Sequence, residues 1–175
     1  MMDFRERLSG RITLNDIYEI CCLTQGEGNN RAKESLYLLV DDEDERVGYN
    51  ALWVFTHFSL DDNEWLYSKR DELIDKLLVC THVGKSRLLL TLLERQPTTR
   101  DDLRVDYLDY CLAKINSVEP YATRALCMKQ AYAQCRHFPE LMSELVGTLG
   151  LLEDARLSPG LRSAKRNILK RIAKP

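Results

Sequence analysis

The chain has 175 residues, of which 45% are hydrophobic and 30% are charged, and its formal net charge is −2 at pH 7. This charge balance excludes a global attraction to nucleic acid or to an anionic membrane, and the longest apolar runs, such as Leu88 to Leu90, are too short to cross a bilayer. A chain of this length can bury roughly two-thirds of its unfolded surface in one compact domain. We therefore expect a single domain over residues 1–175 and no membrane segment.

Cysteines occur at six positions, 21, 22, 80, 111, 127 and 135. The opening residues, MMDFRERLSGRIT, contain no apolar core of the kind that a secretory signal requires. Because disulfides persist mainly in oxidising compartments, we expect reduced thiols and a cytoplasmic location.

Residues 1–28 predict one N-terminal capping helix. Its apolar side chains recur at helical spacing, at Leu14, Ile17, Ile20 and Cys21. A polar loop from Gly26 to Asn30 ends this helix. The following stretch, 30–58, predicts the first pair of helices, and the acidic run from Asp41 to Glu45 is expected to be the solvated turn between them.

Two further helix pairs are predicted in residues 61–95 and 102–136. Asp61 and Glu64 have the spacing of a capping box. The helix that follows them has an apolar face formed by Leu73, Ile74, Leu77 and Leu78. The first helix of the next pair has an apolar face formed by Leu108, Cys111, Leu112 and Ile115.

The last predicted pair, 139–173, has the clearest signals. Pro139 opens a helix whose apolar stripe consists of Met142, Leu145, Val146, Leu149 and Leu152. Ser158 is expected to cap the final helix, with Pro159 at its first position. Because no segment alternates apolar and polar residues for long enough to indicate a strand, the predicted fold class is all-α.

Four arginines, Arg46, Arg87, Arg124 and Arg162, lie 41, 37 and 38 residues apart, near the start of each predicted second helix. An interval of about 40 residues indicates helix pairs stacked as a solenoid, because one pair cannot bury its apolar faces alone. The second helices begin ERVGYNALWVF (45–55), KSRLLLTLLER (85–95), ATRALCMKQAY (122–132) and GLRSAKRNILK (160–170). These segments resemble HEAT repeats and the related armadillo-type superhelices.

The resemblance covers about residues 30–173. It implies a right-handed α-α superhelix of about four helix pairs plus the N-terminal helix, held together by arginines that bind acidic or carbonyl groups of the neighbouring repeat. It also implies a non-catalytic scaffold that binds a protein or peptide. The alternative within the resemblance is a nucleic-acid-binding protein of the DNA alkylation-repair glycosylase type, although the net charge makes nucleic acid an unlikely partner.

The eight glycines form neither a phosphate-binding loop nor a dinucleotide fingerprint, so we expect no enzyme activity and no cofactor. Two Cys-x-His pairs, Cys80 with His82 and Cys135 with His137, contain ligand types that suit zinc. Since no Cys-x-x-Cys spacing accompanies them, we expect these residues to serve at helix ends and not to bind a metal.

The densest aromatic cluster of the chain contains both tryptophans. Trp53 and His57 are i, i+4 neighbours on one helix face, and Tyr49 and Asn50 lie one turn earlier. Together with Arg87 of the next second helix, these residues are the candidate site for a protein or peptide. The alternative is that the rings pack in the core.

Charge is distributed unevenly along the chain. Residues 1–154 contain 18 basic and 27 acidic side chains, whereas the last 20 residues contain seven basic and no acidic ones. On the last helix, Arg162, Arg166 and Lys170 align on the side opposite its apolar residues, which are Leu161, Ala164, Ile168 and Ile172. This basic face is a second candidate, for an acidic partner or a nucleic-acid backbone, and the alternative is the polar outer surface of a terminal repeat.

Overall fold

The computed structural model describes residues 3–174, and every regular element in that range is helical. The absence of strands from these residues agrees with the predicted all-α class. By its internal packing the chain divides into two compact units, one extending to Gln96 and the other starting at Pro97, whereas the single domain expected from the length stays a prediction. Within residues 3–174, no helix combines the length and the apolar character needed to cross a membrane.

The first unit is built from short helices joined by tight turns. Its described residues contain the α-helices α1 (Phe4–Leu8), α2 (Leu14–Thr24), α3 (Asn30–Leu38), α4 (Glu45–Thr56), α5 (Leu60–Asn63), α6 (Arg70–Val79) and α7 (Val83–Glu94). The N-terminal region thus holds two helices where the sequence predicted one. The chain is interrupted before α2 because Thr13 caps that helix in a reciprocal capping box with Asp16.

The helices of the first unit pair as the repeat pattern predicted, α3 with α4 and α6 with α7. The start of α5 differs from the prediction, since Ser59 is its N-cap and accepts a hydrogen bond from the backbone N–H of Asp62. The predicted capping box of Asp61 and Glu64 is therefore wrong by two residues. The core of this unit includes the buried side chains Leu36, Val47, Leu52, Val54, Phe55, Leu66, Leu73, Ile74, Leu77 and Leu88.

The second helices α4 and α7 approach each other closely and run parallel. A Cβ atom at Gly48 of α4 would lie 2.7 Å from the carbonyl oxygen of Val40 and 2.9 Å from Nζ of Lys85. At the other end of the helices, the guanidinium of Arg95 donates to the carbonyl oxygens of Thr56 and Phe58, at 3.0 and 2.5 Å. Glycine at position 48 therefore leaves room for the Val40 carbonyl and the Lys85 side chain, and Arg95 joins the C-terminal ends of the two helices.

The second unit contains, within the described residues, the α-helices α8 (Val105–Ile115), α9 (Tyr121–Cys135), α10 (Pro139–Gly150) and α11 (Pro159–Ile172). The helix α9 packs against each of the other three, whereas α10 and α11, which the sequence predicted to be mates, make little direct contact with each other. Pro139 and Pro159 stand at the starts of their helices, and Ser158 caps α11 by accepting from the N–H of Leu161, as the sequence predicted. The core is formed by Leu108, Cys111, Ile115, Cys127, Met128, Ala131, Leu145, Leu149, Leu161 and Ile168.

The four repeated arginines do not share one role. Arg124 donates from Nε to the carbonyl oxygen of Ile115 at 2.9 Å, and Arg162 donates to the carbonyl oxygens of Asp154 and Leu157, both at 3.1 Å. These two arginines satisfy carbonyl groups as expected, but within their own helix pair and not in a neighbouring one. Arg46 and Arg87, in contrast, are exposed.

The close approach at Gly48 gives a test with a matched control. We expect Gly48→Ala to lower the free energy of unfolding by about 1–3 kcal/mol, because the added methyl overlaps backbone and Lys85 atoms. Gly147 lies in the exposed interior of α10 with nothing within 4 Å of an added Cβ. Gly147→Ala is therefore expected to raise stability by about 0.5–1 kcal/mol. Urea unfolding of both variants measures the difference, and equal effects would contradict the packing argument.

Candidate functional site

The aromatic residues of the first unit fall into two groups, of which the first is internal. Phe55 and Trp65 stack with an interplanar angle of 2°, and Tyr37 meets both rings edge-on at centroid distances of 6.1 and 5.9 Å. The ammonium of Lys69 lies 5.2 Å from the Tyr37 ring centroid and 5.7 Å from that of Trp65. Burial raises the pKa of the Tyr37 hydroxyl. Trp65 is therefore committed to packing.

The second group lies at the surface and contains three of the predicted site residues. We call it the aromatic stripe, and its members are Tyr18, Tyr49, Trp53, His57 and His82. Tyr18 of α2 is 54% exposed, and the other four rings are half-buried. His57 joins two helices, because its ring lies 6.1 Å from that of Tyr18 and 6.0 Å from that of Trp53, edge-on in both cases.

The hydrogen bonds of His57 determine which tautomer it adopts. Its Nδ1 lies 3.0 Å from the carbonyl oxygen of Trp53, which can only accept, so Nδ1 carries a proton. In the neutral ring Nε2 is then a hydrogen-bond acceptor, with no partner among residues 3–174. The indole N–H of Trp53 is likewise without a partner in this range. The stripe thus offers one acceptor and one donor on adjacent rings.

Tyr49 and His82 extend the stripe onto the start of α7. Their rings lie 6.0 Å apart, and His82 is the N-cap of α7, where its Nδ1 accepts from the backbone N–H of Lys85 at 3.1 Å. A Cβ at Gly84 would lie 2.9 Å from Cε2 of Tyr49, so the stripe also depends on a glycine. Together with Ser9, Asp44, Glu45 and Arg46, Tyr49 and His82 line a shallow pocket.

Arg87 is on α7, the helix that runs parallel to α4. It follows Gly84 by one turn, and a Cβ at Gly84 would lie 2.9 Å from Cε2 of Tyr49. The Arg87 side chain is exposed and has no ion-pair partner among the described residues. This cation is therefore available to a ligand, and its place beside the rings stays a prediction.

Asn50 is a predicted site residue that the structure removes from the surface. Its side chain is 5% exposed, and its Nδ2 donates to the carbonyl oxygens of Leu8 and Gly10 at 2.8 and 3.2 Å. Asn50 therefore fastens α1 and the turn after it to α4. Asn50 follows Tyr49 on α4, as predicted. Consecutive side chains of a helix point about 100° apart, however, so the two residues reach different surroundings.

The predicted basic face on α11 is also divided. Arg162 is occupied by the carbonyl groups of its own turn, and Lys165 donates to the carboxylate of Asp154 at 2.7 Å. This ion pair lowers the pKa of the Asp154 carboxyl. Arg166 and Lys170 are exposed, have no ion-pair partner within residues 3–174, and line a pocket of about 340 Å³.

The two Cys-x-His pairs stand at helix ends. Cys80 and His82 flank the turn into α7, and the Cys80 thiol donates to the carbonyl oxygen of His82 at 3.5 Å. Cys135 is buried in the second unit, and His137 follows the end of α9. Over the described part of the chain, no group of three or more histidine, cysteine or acidic side chains has the arrangement to hold a metal ion.

Two members of the stripe were not part of the predicted site. Tyr18 was missed because it lies on the solvent side of α2, between the apolar positions that identify that helix. His82 enters the sequence analysis only as the partner of Cys80. The signal that could have identified it is its N-cap position at the start of α7, where its ring nitrogen accepts from the backbone N–H three residues later, as an asparagine or aspartate cap does.

The chain was compared with known protein families and with curated proteins. A family model described as a HEAT repeat domain matches residues 4–172. This range spans both compact units and includes the aromatic stripe and the basic face. No curated protein matches the chain.

Asn50 provides a test of the anchoring role. We expect Asn50→Ala to lower the free energy of unfolding by about 1–3 kcal/mol, because it leaves the buried carbonyl of Leu8 without a donor. Asn15→Ala, at an exposed position of α2, is the control and should change stability by no more than about 0.5 kcal/mol. If chemical denaturation gives the same loss for both variants, the two hydrogen bonds of Asn50 are not the anchor.

The thiols are expected to differ sharply in reactivity. Burial raises the pKa of Cys21 and of Cys135 to about 11, and it also raises the pKa of Cys111, next to Cys127. Since the thiolate is the reactive form, iodoacetamide at pH 8 should label exposed Cys22 first and half-buried Cys80 more slowly. Peptide mass spectrometry should find the other four labelled only after unfolding. Rapid labelling of Cys111 in the native protein would contradict this assignment.

Proposed function

The chain belongs to the HEAT repeat family, and on this basis we propose that it is a non-catalytic interaction module that binds a protein or peptide through the aromatic stripe. HEAT repeat proteins are typically scaffolds of this kind, which is the part of the proposal that the family supports. The part of the proposal that is specific to this chain is the location of the binding surface, on α2, α4 and the start of α7.

The observation that carries the proposal is a row of rings that are not fully buried, together with an exposed cation, Arg87, that forms no ion pair with a described residue. Tyr18 exposes 54% of its surface, its ring meets that of His57, and the His57 ring in turn meets that of Trp53. Tyrosine, tryptophan and arginine are the residues that most often dominate binding energy at protein interfaces. A protein ligand can use all of them, because it supplies apolar side chains for the rings and acidic groups for Arg87.

The stripe also suits a ligand that carries backbone polar groups. The indole N–H of Trp53 can donate to a peptide carbonyl, and Nε2 of neutral His57 can accept from a peptide N–H. Rings that offer both apolar area and a polar atom lose few rotamers on binding, so their contacts cost little conformational entropy. The surface therefore has the chemistry to bind an extended segment as well as a single side chain.

A cytoplasmic location is part of the proposal. Its support is the absence of disulfides, since all six cysteines are free and such thiols persist best in a reducing compartment. Nucleic acid remains the alternative ligand. Retention of a DNA duplex that weakens steeply with salt would favour the alternative, whereas no retention at low ionic strength would remove it.

Quantitative affinity capture tests the proposed surface. The wild-type protein and the Trp53→Ala, His57→Ala variant are used as baits, and bound proteins are measured by mass spectrometry. We expect the variant to lose its specific partners by about 30-fold or more, because truncation of an interface hot spot typically costs about 2 kcal/mol or more.

The matched control replaces exposed leucines of the same unit that lie outside the stripe. Leu38 and Leu60 are 73% and 68% exposed, so Leu38→Ala, Leu60→Ala removes apolar surface without touching the rings. This control should retain every partner. Circular dichroism must show that both variants are folded. A folded stripe variant that keeps all partners would show that the binding surface lies elsewhere.

A further inference from the structure

Four of the five basic side chains of α11, all except Arg171, line one pocket and divide into two groups with different surroundings. Arg162 and Lys165 are held by acceptors of their own unit, the carbonyl groups of Leu157 and Leu152 and the carboxylate of Asp154 among them. Arg166 and Lys170 are exposed and make no ion pair with any described residue. Helix geometry places these two one turn apart, about 5–6 Å between Cβ atoms. Their charges therefore reinforce each other at one place on the helix.

The pocket between them combines charge with apolar surface. It has a volume of about 340 Å³, and its lining includes Leu169 and Ala173 besides the four cations and Asp154. Leu169 is half-buried, so part of its side chain remains accessible. The carbonyl groups at the end of α11 carry partial negative charge, which favours cations here and lowers the cost of keeping them together.

We propose that this pocket binds an acidic segment of a partner protein. A carboxylate of the segment lies between Arg166 and Lys170, and an apolar side chain one turn away contacts Leu169. Charge-assisted hydrogen bonds fix the orientation of the bound carboxylate. The apolar contact with Leu169 buries apolar surface, which an ion pair alone does not. This site is separate from the aromatic stripe, because the two lie on different units and share no residue.

The apolar part of the pocket favours an acidic peptide over a nucleic-acid duplex. Leu169 and Ala173 line the pocket together with its cations. A phosphate backbone has no apolar group to place against them, whereas a leucine or valine side chain of a peptide fits this surface.

A second copy of this chain is the other possible occupant, through the acidic run from Asp41 to Glu45. Much of that run is already used inside the first unit. Asp42 forms an ion pair with Arg5, Asp41 forms one with Lys76, and Asp44 caps α4. Only the remaining acidic groups would be available to another copy, which makes self-association through this pocket unfavourable relative to an acidic partner.

Fluorescence anisotropy with the full chain tests the proposal. The probe is a short fluorescein-labelled peptide of glutamates with leucines one helical turn apart, and the comparison peptide has serine in place of each leucine. We expect the leucine peptide to bind more tightly. The variant Arg166→Glu, Lys170→Glu should weaken its binding by about tenfold or more, because both cations at the carboxylate are reversed.

The control changes the net charge by the same amount outside the pocket. Arg11→Glu, Arg31→Glu replaces two exposed cations of the first unit that form no ion pair with a described residue and do not line the pocket, and its affinity for the peptide should stay within about twofold of wild type. The Trp53→Ala, His57→Ala variant should also bind the peptide normally, so failure here and failure of the aromatic stripe are distinguishable.

Several results would overturn the proposal. Equal losses for the two charge-reversal variants would mean that only net charge matters. Equal affinity for the leucine and serine peptides would show that Leu169 takes no part. Tighter binding of a DNA duplex than of the peptide would identify a phosphate backbone as the ligand, and salt-sensitive dimers in light scattering that disappear in Arg166→Glu, Lys170→Glu would identify a second copy.

Discussion

The carbonyl groups at the C-terminal end of a helix have no partner within that helix, and in the first unit Arg95 supplies donors for those of α4. Its guanidinium reaches the carbonyl oxygens of Thr56 and Phe58, which are the residues on either side of His57. The rings of the stripe therefore stand on a helix whose far end is tied to α7. At the near end the constraint is steric, because Gly48 leaves room for the Lys85 side chain of α7 and Gly84 leaves room for the Tyr49 ring of α4. The proposed binding surface depends on both constraints, although none of these three residues belongs to it.

A second arginine in the same role occurs in the other unit. Nη2 of Arg136, at the end of α9, donates to the carbonyl oxygen of Thr98 at 2.8 Å. Arg95 and Arg136 are 41 residues apart and each reaches back 37 or 38 residues, to Phe58 and to Thr98. The repeat length thus appears in two sets of arginines, one near the starts of the second helices and one at their ends. The arginines at the ends of the second helices, Arg95 and Arg136, join positions about one repeat apart. This role is the one that the sequence predicted for the arginines at the starts of those helices.

The helices could be predicted well because their signals are local. Pro139, Ser158 and Pro159 mark helix starts by their own chemistry, and the apolar stripes repeat at helical spacing. The candidate site could be predicted only in part, because it depends on which helix packs against which face. Asn50 and Trp53 are both on α4, and the contact with α1 alone decides that the first is buried and the second remains partly exposed. Tyr18 joins the stripe through a tertiary contact with His57 that no periodicity within α2 can reveal.

Both proposed surfaces use the same position of the repeat, seven residues after the arginine that defines it. Trp53 follows Arg46 by seven residues and Leu169 follows Arg162 by seven, and both side chains are half-buried, whereas Ala131, at the same distance from Arg124, is fully buried. The position lies at the edge of the helix packing, so a residue larger than alanine projects partly beyond the core. A ring there produces an apolar, hydrogen-bonding surface, while a leucine between exposed cations produces one suited to acidic ligands. The repeat thus sets where a side chain can emerge, and the residue at that position sets what it can bind.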